Sequence, residues 1–366
     1  MITNEMMRIV SLSDICSYVN CKTPVEQIQL VDYVSAENLL QNKGGLSVAN
    51  KLPSGKVTAF QAGDVLVSNI RPYFKKIWLA DRSGGASNDV LVFRKLNDNI
   101  CEKYLYYILA DDRFFTFSTV SASGSKMPRG DKVQIMNYPI NLPSLDQQKK
   151  IADILSSLDE KIELNRRMNE TLEQLGQALF RHYFVDKAKQ SNGNIQTIPL
   201  GKKFHPKRGR SLQVRDMICG DTPVISGGLK PAGFHNEANT TTPVITISAS
   251  GANAGFVSVW GESVWSADSS YIDSTTTEYV YTYYLFLKNK QKEIYDMQTG
   301  SGQPHIYPKH IELLETVDLS DLELDDFEQR VRPLFDMIHE NKKQIYYLSN
   351  IRDTLLPKLI SGEIEV

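Results

Sequence analysis

Cysteine is scarce in this 366-residue chain. The four that occur, Cys16, Cys21, Cys101 and Cys219, form no CxxC pair and have no histidine at zinc spacing, so neither a disulfide framework nor a structural metal is expected. No apolar run approaches the roughly 18 residues of a membrane span. The N-terminus, MITNEMMRIVSLSDI, lacks the basic, apolar and small-residue succession of a secretory signal. The expectation is a soluble, cytoplasmic protein with no membrane contact. Neither sign of charge dominates, with 41 Lys and Arg against 43 Asp and Glu. Catalytic signatures are missing too: there is no GxxxxGK[ST], TGSGQPH lacks the third glycine of a dinucleotide fingerprint, and the six histidines are scattered. NYPI at 137–140 lacks the second proline and closing aromatic of an NPPY methyltransferase loop. No enzyme active site is visible.

What is present is dominated by one stretch, residues 144–184, SLDQQKKIADILSSLDEKIELNRRMNETLEQLGQALFRHYF. Ser144 and Gln147 have the spacing of a capping box. Leu155, Leu158, Ile162, Asn165, Asn169, Leu172, Gly176 and Leu179 recur at alternating steps of three and four, the a and d positions of heptads whose seam must face another helix. The partner lies in the same chain. Ser320 and Glu323 form a second box, and Val331, Leu334, Ile338, Asn341, Ile345, Leu348, Arg352 and Leu355 occupy the same heptad places. Corresponding residues, Ser144 and Ser320 or Ile162 and Ile338, stand 176 positions apart throughout, so the chain reads as a tandem duplication whose two long helices pair. Asn165 and Asn341, polar at matching d positions, are expected to fix register at some cost in stability.

Each helix follows a globular segment. In the first, strand-like alternation in RIVSLSDI and QIQLVDYV, broken by NKGG (42–45) and LPSGK (52–56), precedes GDVLVSNIRPYFKKIWLADRSGGASNDVLVFRKL. Its apolar runs at 65–67, 77–80 and 90–93 predict a β-meander or curved sheet. CEKYLYYILADDRFFTFST predicts a helix, SASGSKMPRGD a glycine-serine turn and VQIMNYPINL an exit strand. The second segment repeats the plan in TPVITISASGANAGFVSVWGESVWSADSSYIDS, YVYTYYLFLKNKQKEIYDM and TGSGQPHIYPKHIELLETVDL. Gly300 and Pro304 again fall 176 positions after Gly124 and Pro128, while the residues between such anchors have diverged. A polar linker, DKAKQSNGN at 186–194, joins the halves. Residues 1–143 carry 16 Lys and Arg against 13 Asp and Glu, and residues 319–366 carry 6 against 10. Basic charge leans to the first segment, and KKFHPKRGR at 202–210 gathers it in the second, as a solvated face or a phosphate site.

The exit strand running into the first helix, INLPSLDQQKKIADILSSLDEKI, with GDVLVSNIRP upstream and a second copy of the plan behind it, resembles the specificity (S) subunit of type I restriction-modification systems over the whole chain. In the second copy DLSDLELDDFEQRV lacks the proline before the cap, and Pro333 enters the early helix. The resemblance implies an α+β fold with two α/β target-recognition domains, 1–143 and 191–318. These would be separated by two long antiparallel coiled-coil helices, 144–190 with its linker and 319–366, in a pseudo-two-fold tandem repeat. It further implies a non-catalytic subunit that binds double-stranded DNA. Each domain would read one half of a bipartite, asymmetric site, and the helices would set the spacer and dock two methyltransferase (M) subunits, joined by restriction/translocase (R) subunits. The chain itself would bind no cofactor; S-adenosylmethionine, ATP and Mg would belong to the partners.

Residue types in polar loops beside strands nominate DNA contacts. In the first domain these are Arg71, Tyr73, Lys75, Lys76, Asn88, Lys126 and Arg129; in the second, Lys207, Arg208, Arg210, Lys230, His235, Asn253, Ser269, Gln303, His305 and Lys309. Lys and Arg mostly position the phosphate backbone, whereas Arg, Asn and Gln can read base edges. The turns GSK (124–126) and GSGQPH (300–305) would let main chain approach phosphate. Two rival readings are an S subunit of a type II system with a bifunctional restriction-methylation partner, and a coiled-coil adaptor whose globular ends bind proteins, which near-neutral charge favours.

Overall fold

The computed structural model describes residues 8–124, 126–186, 197–300 and 302–366. Of the linker read at 186–194, all but Asp186 lies outside the described residues. The chain forms two compact units, Met1–Ile162 with Tyr346–Val366, and Glu163–Ile345. The two long helices, Leu145–Phe180 and Asp321–Ser361, begin 176 positions apart, and each contributes a stretch to both units. This departs from the division in which the helices stood as separate segments 144–190 and 319–366. Their apolar faces close the core of each unit, so they cannot be separated from it. A wider turn, Arg181–Asp186, continues the first helix. At the start of the second, the Ser320 N–H donates to Glu323 Oε2 at 3.0 Å and the Glu323 N–H to Ser320 Oγ at 3.4 Å, the full reciprocal box. At Ser144, the Gln147 N–H donates to Ser144 Oγ at 3.4 Å. Pro333 lies inside the second helix without ending it.

In the first unit, Cys16–Tyr18, Val90–Lys95, Val65–Ser68 and Ile77–Leu79 form an antiparallel sheet in that order; Val65–Ser68 lies between the other two expected runs and pairs with both, so the sheet is present but its strands are not ordered as a meander. A second sheet joins Lys22–Pro24, Lys56–Phe60, Gly84–Ala86 and Tyr33–Val34. Arg8–Ser11 pairs with the exit strand Pro139–Leu142. Three local expectations are corrected. QIQLVDYV forms a strand over Tyr33–Val34 alone, with Leu30 and Val31 exposed instead of buried in a sheet. The helix at 101–119 is two, Glu102–Ala110 and Asp112–Val120, because Asp111 is extended (ψ 138°) and its carboxylate caps the second by accepting from the Arg113 N–H. VQIMNYPINL begins as a helical turn, Lys132–Met136, capped by Asp131, before it becomes strand.

The second unit repeats this. Lys207–Arg208, Ser269–Asp273, Val244–Ser248 and Val257–Trp260 form the antiparallel sheet, and Gly233–His235, Thr222–Ile225 and Trp265–Ser266 a smaller one. Thr197–Pro199 pairs with the exit strand Glu315–Val317. The expected helix is again two, Val280–Asn289 and Gln291–Asp296. The short helix Pro308–Glu312 stands 176 positions after Lys132–Met136.

Within each unit the long helices run antiparallel. Leu155, Ile162, Val331 and Ile338 are buried; Leu158, Leu172, Leu179, Leu334, Ile345, Leu348 and Leu355 are half-buried. Asn165 and Asn341 are buried, and the amide nitrogen of each donates to a polar residue of the opposite helix, Asn165 to Gln344 Oε1 at 3.1 Å and Asn341 to Asn169 Oδ1 at 2.9 Å, while Asn165 Oδ1 has no partner among the described residues. In the first unit Arg352 donates to Asp159 at 2.7 Å, and Asp159 also accepts from the Tyr107 hydroxyl at 2.8 Å. The heptad pattern passes over Phe335 and Leu356, which are buried because a second face of their helix packs on a domain core, while the buried Phe327 and Leu359 continue its seven-residue step at the two ends. The long helices also cap the short ones. Gln148 accepts from the Cys101 N–H at 3.0 Å, and Glu328 accepts from the Tyr281 and Thr282 N–H groups at 3.3 and 2.8 Å. Burial pushes the Glu328 carboxyl above its ordinary range, against the pull of those donors.

Two outcomes follow for stability. Phe335 is 1% exposed and stacks on Tyr281 at 4.8 Å, so Phe335→Ala should lose about 3–5 kcal/mol, read as a lower denaturant midpoint at unchanged slope. His339 packs against Gly261, and burial, then Lys342 and Lys343, hold its pKa down to about 3 from 6.5. The unfolded chain therefore takes up a proton that the folded chain refuses, and stability should fall as pH drops from 6.5 towards 3. His339→Leu should flatten that limb, and an unaltered limb would refute the assignment.

Candidate nucleic-acid interface

Four non-glycine residues among those described adopt left-handed backbone, Asn42, Lys43, Arg71 and Lys75, with φ of 55°, 58°, 50° and 51°. They meet in one place. The Asn42 N–H donates to the Phe74 carbonyl at 2.9 Å and the Lys43 N–H to the Lys75 carbonyl at 2.8 Å. Such outliers cost energy and persist where the surroundings over-determine them. Lys43 Nζ lies 3.0 Å from Asp112 and 3.7 Å from Asp353, and Lys75 Nζ 2.7 Å from Asp112. The turn Arg71–Lys75, which follows the strand Val65–Ser68, is thereby held at both ends. Beside it lies a cleft of about 910 Å³ whose lining includes Asn38, Lys51, Arg71, Lys76 and Met127.

The second unit builds the same turn from unrelated residues, 180 positions later. Arg71, Tyr73 and Lys75 become Gly251, Asn253 and Gly255, and the glycines are again left-handed, at φ 80° and 88°. Four backbone hydrogen bonds match. Ser68 donates to Lys76 and Ser248 to Phe256, both at 3.0 Å; Asn69 to Asp89 at 2.8 Å and Ala249 to Asp268 at 3.1 Å. Arg71 donates to Pro128 at 2.8 Å and Gly251 to Pro304 at 3.0 Å; Phe74 to Arg71 at 2.9 Å and Ala254 to Gly251 at 3.0 Å. The glycine-serine turns dock in the same way, Ile70 and Ser123 bridging to Arg129 as Ser250 and Thr299 bridge to His305. Ser125 and Ser301, the serines of those turns, lie outside the described residues.

Most nominated residues gather here. Arg71, Tyr73, Lys75 and Lys76 are on the first turn, and Lys126 and Arg129 on the turn beside it, with Arg129 bonded to Asp89 at 2.9 Å. Lys76 Nζ donates to the Ala36 carbonyl, and burial holds its pKa below the ordinary range with Glu37 opposing. Asn88 accepts from Lys22 at 2.8 Å. In the second unit Asn253 is the tip, and Gln303 and His305 lie on the docked turn. Arg208 reaches Asp268 at 2.8 Å, and Asp268 also accepts from Ser250. Lys207 donates to Thr275 at 2.6 Å, and Arg210 lies 5.8 Å over the Trp265 ring. Lys230 and Lys309 are exposed.

Two nominations are corrected. His235 is 5% exposed, accepts from the Ile218 N–H at 2.9 Å and packs on Trp265. Ser269 is 0% exposed and bonds to Ser266 Oγ at 2.7 Å and the Ile225 carbonyl at 3.2 Å. Both are polar groups satisfied inside the fold. Conversely, Asn42, Lys43 and Lys51 were passed over. NKGG signals a turn, but not that its non-glycine members would be left-handed and hydrogen-bonded to the main chain of Phe74 and Lys75.

The four cysteines are free. Among the described residues, no group of three or more His, Cys, Asp or Glu could hold a metal ion, and no helix is long and apolar enough to cross a membrane.

The family model for the type I restriction modification DNA specificity domain matches residues 4–174. The chain is similar to the type I restriction enzyme MjaIX specificity subunit of Methanocaldococcus jannaschii, 26% identical over 304 residues, covering 74% of this chain and 70% of that protein. It is also similar to the type I restriction enzyme HindI specificity subunit of Haemophilus influenzae, 28% identical over 222 residues, covering 58% of this chain and about half, 47%, of that one. Its fold is similar to the crystal structure of the type I restriction-modification system S subunit from M. genitalium, with TM-score 0.60, 20% identity and 98% of each chain covered.

The docked turns each rest on a left-handed glycine, Gly124 at φ 105° and Gly300 at 97°. A Cβ would stand 3.3 Å from the Met127 carbonyl oxygen at 124, but 2.7 Å from that of Gln303 at 300. Gly124→Ala should therefore cost about 1–2 kcal/mol and Gly300→Ala more. Faster amide exchange at Arg129 and His305 respectively is the readout, and a larger effect at 124 would reverse the ranking.

Proposed function

The chain belongs to the family of type I restriction-modification specificity subunits, and on that premise we propose that its two units each read one half of a bipartite, asymmetric site in double-stranded DNA. The observation that carries the reading is the turn built twice on one backbone with different side chains. A shared backbone presents the same geometry to two DNA half-sites, and the exchanged side chains let the halves differ in sequence. The surrounding cationic and hydrogen-bonding side chains suit phosphate contact. Lys126, Arg129, Gln303 and His305 lie on the docked turns, where glycine allows close approach, and Arg208 approaches the same place from a neighbouring strand. The long helices separate the two recognition segments in the sequence, and we assign to them the spacer and the docking of two methyltransferase subunits, with restriction/translocase subunits joining the assembly. The subunit is a recognition component and not an enzyme. S-adenosylmethionine, ATP and Mg act on its partners, and the complex works where the DNA is, in the cytoplasm. Family membership favours neither the type II arrangement nor the protein-binding adaptor.

Domain exchange tests the proposal. Replacing residues 195–318 by the corresponding segment of another specificity subunit should change one half of the methylated site and leave the other as it was. Loss of both halves in a well-folded complex would count against independent reading. The chain alone, given S-adenosylmethionine, should not methylate DNA, whereas addition of its methyltransferase partner should restore methylation at the selected site.

A further inference from the structure

We infer that Arg71 and Tyr73 are the side chains with which the first unit reads its half-site, and that Arg71 is kept in a glycine-type conformation because its guanidinium is needed there. The inference rests on the DNA-recognition reading above and deepens it. The fold has no use for a side chain at this position: in the second unit the equivalent residue is Gly251, the same hydrogen bonds close the turn, and nothing stands within 4 Å of where its Cβ would be. An L-residue at φ 50° is disfavoured, so an arginine retained there has a reason outside the backbone.

Its surroundings supply that reason. Nη2 donates to the Lys126 carbonyl at 3.3 Å, and the guanidinium lies 5.9 Å over the Phe74 ring. Nε is buried without a hydrogen-bond partner among the described residues, beside the 910 Å³ cleft. A guanidinium fixed on two sides with donors left over is preorganised for a planar pair of acceptors, such as O6 and N7 of guanine. Tyr73, at the tip, is 47% exposed and braced against Phe74 at 4.7 Å, so it offers a rigid ring to a sugar or base. Lys75 is already engaged by Asp112 and acts as a positioning residue for the turn. The counterpart at the second tip, Asn253, offers an amide in place of the ring, so the two half-sites are read with different chemistry from one geometry.

The test uses the full chain in complex with its methyltransferase subunits, on DNA bearing the site found by methylation-aware sequencing of the source cell. Arg71→Gly should melt at the same temperature as the parent or higher, and bind on the order of tenfold more weakly. Its lost discrimination should be confined to one half-site. Arg71→Lys should keep the salt dependence of binding but not the discrimination, since it retains charge without the planar fork. Tyr73→Ser should weaken binding with no change in salt dependence. Gly251→Ala, which adds a methyl to open space at φ 80°, should lower the melting temperature and so calibrate the left-handed strain. Parental selectivity in Arg71→Gly, a clearly lower melting temperature for that variant, or an unchanged one for Gly251→Ala would each overturn the inference while leaving DNA recognition in place. Should the unsubstituted complex select no sequence at all, the parent reading fails as well.

Discussion

Neither unit has a complete core without the long helices, and the rest of the molecule follows from that dependence. Ile151, Ala152 and Leu155 from the first helix and Leu356, Leu359 and Ile360 from the second close the core around Phe93, Tyr104 and Phe114. Phe180 and Phe184 with Phe327, Val331, Phe335 and Ile338 do the same around Ile245 and Leu285. Burial of apolar surface is the dominant favourable term in folding, so each helix is committed along its length to two faces, one towards the opposite helix and one towards a domain. The buried caps reinforce this. Gln148, near the start of its helix, and Glu328, about two turns into its own, satisfy N–H groups at the starts of Glu102–Ala110 and Val280–Asn289, tying the direction of each short helix to the long one.

This double commitment decides what could be read from the sequence. The heptad spacing revealed the helix pair and its 176-residue repeat because period and caps are local properties. Phe335 and Leu356 fell off the stripe because they answer to the domain, and a single-period search sees one face. Asp111 was invisible as a break for a related reason: a polar residue in a helical run reads as surface until its carboxylate is seen capping the next helix.

The candidate interface was legible in its parts and not in its assembly. RPYFK and GANAG share no residue, so no comparison of letters could reveal that they are one turn; the equivalence lies in φ angles and main-chain hydrogen bonds. Glycine hints at such a conformation, whereas Arg71 and Lys75 conceal it. His235 and Ser269 show the opposite failure, since a polar side chain in a loop sequence carries no mark of whether water or main chain satisfies it.

The turn is closed by main-chain atoms at both ends, and the side chains of Tyr73 and Asn253 take no part in that closure. Variation at these tips is therefore nearly free of folding consequence, and a single codon can exchange a ring for an amide while every supporting bond stays in place. A lineage under pressure to change what it marks and what it spares can explore new chemistry at the tip without first repairing the scaffold, and duplication gives it two such positions to vary independently.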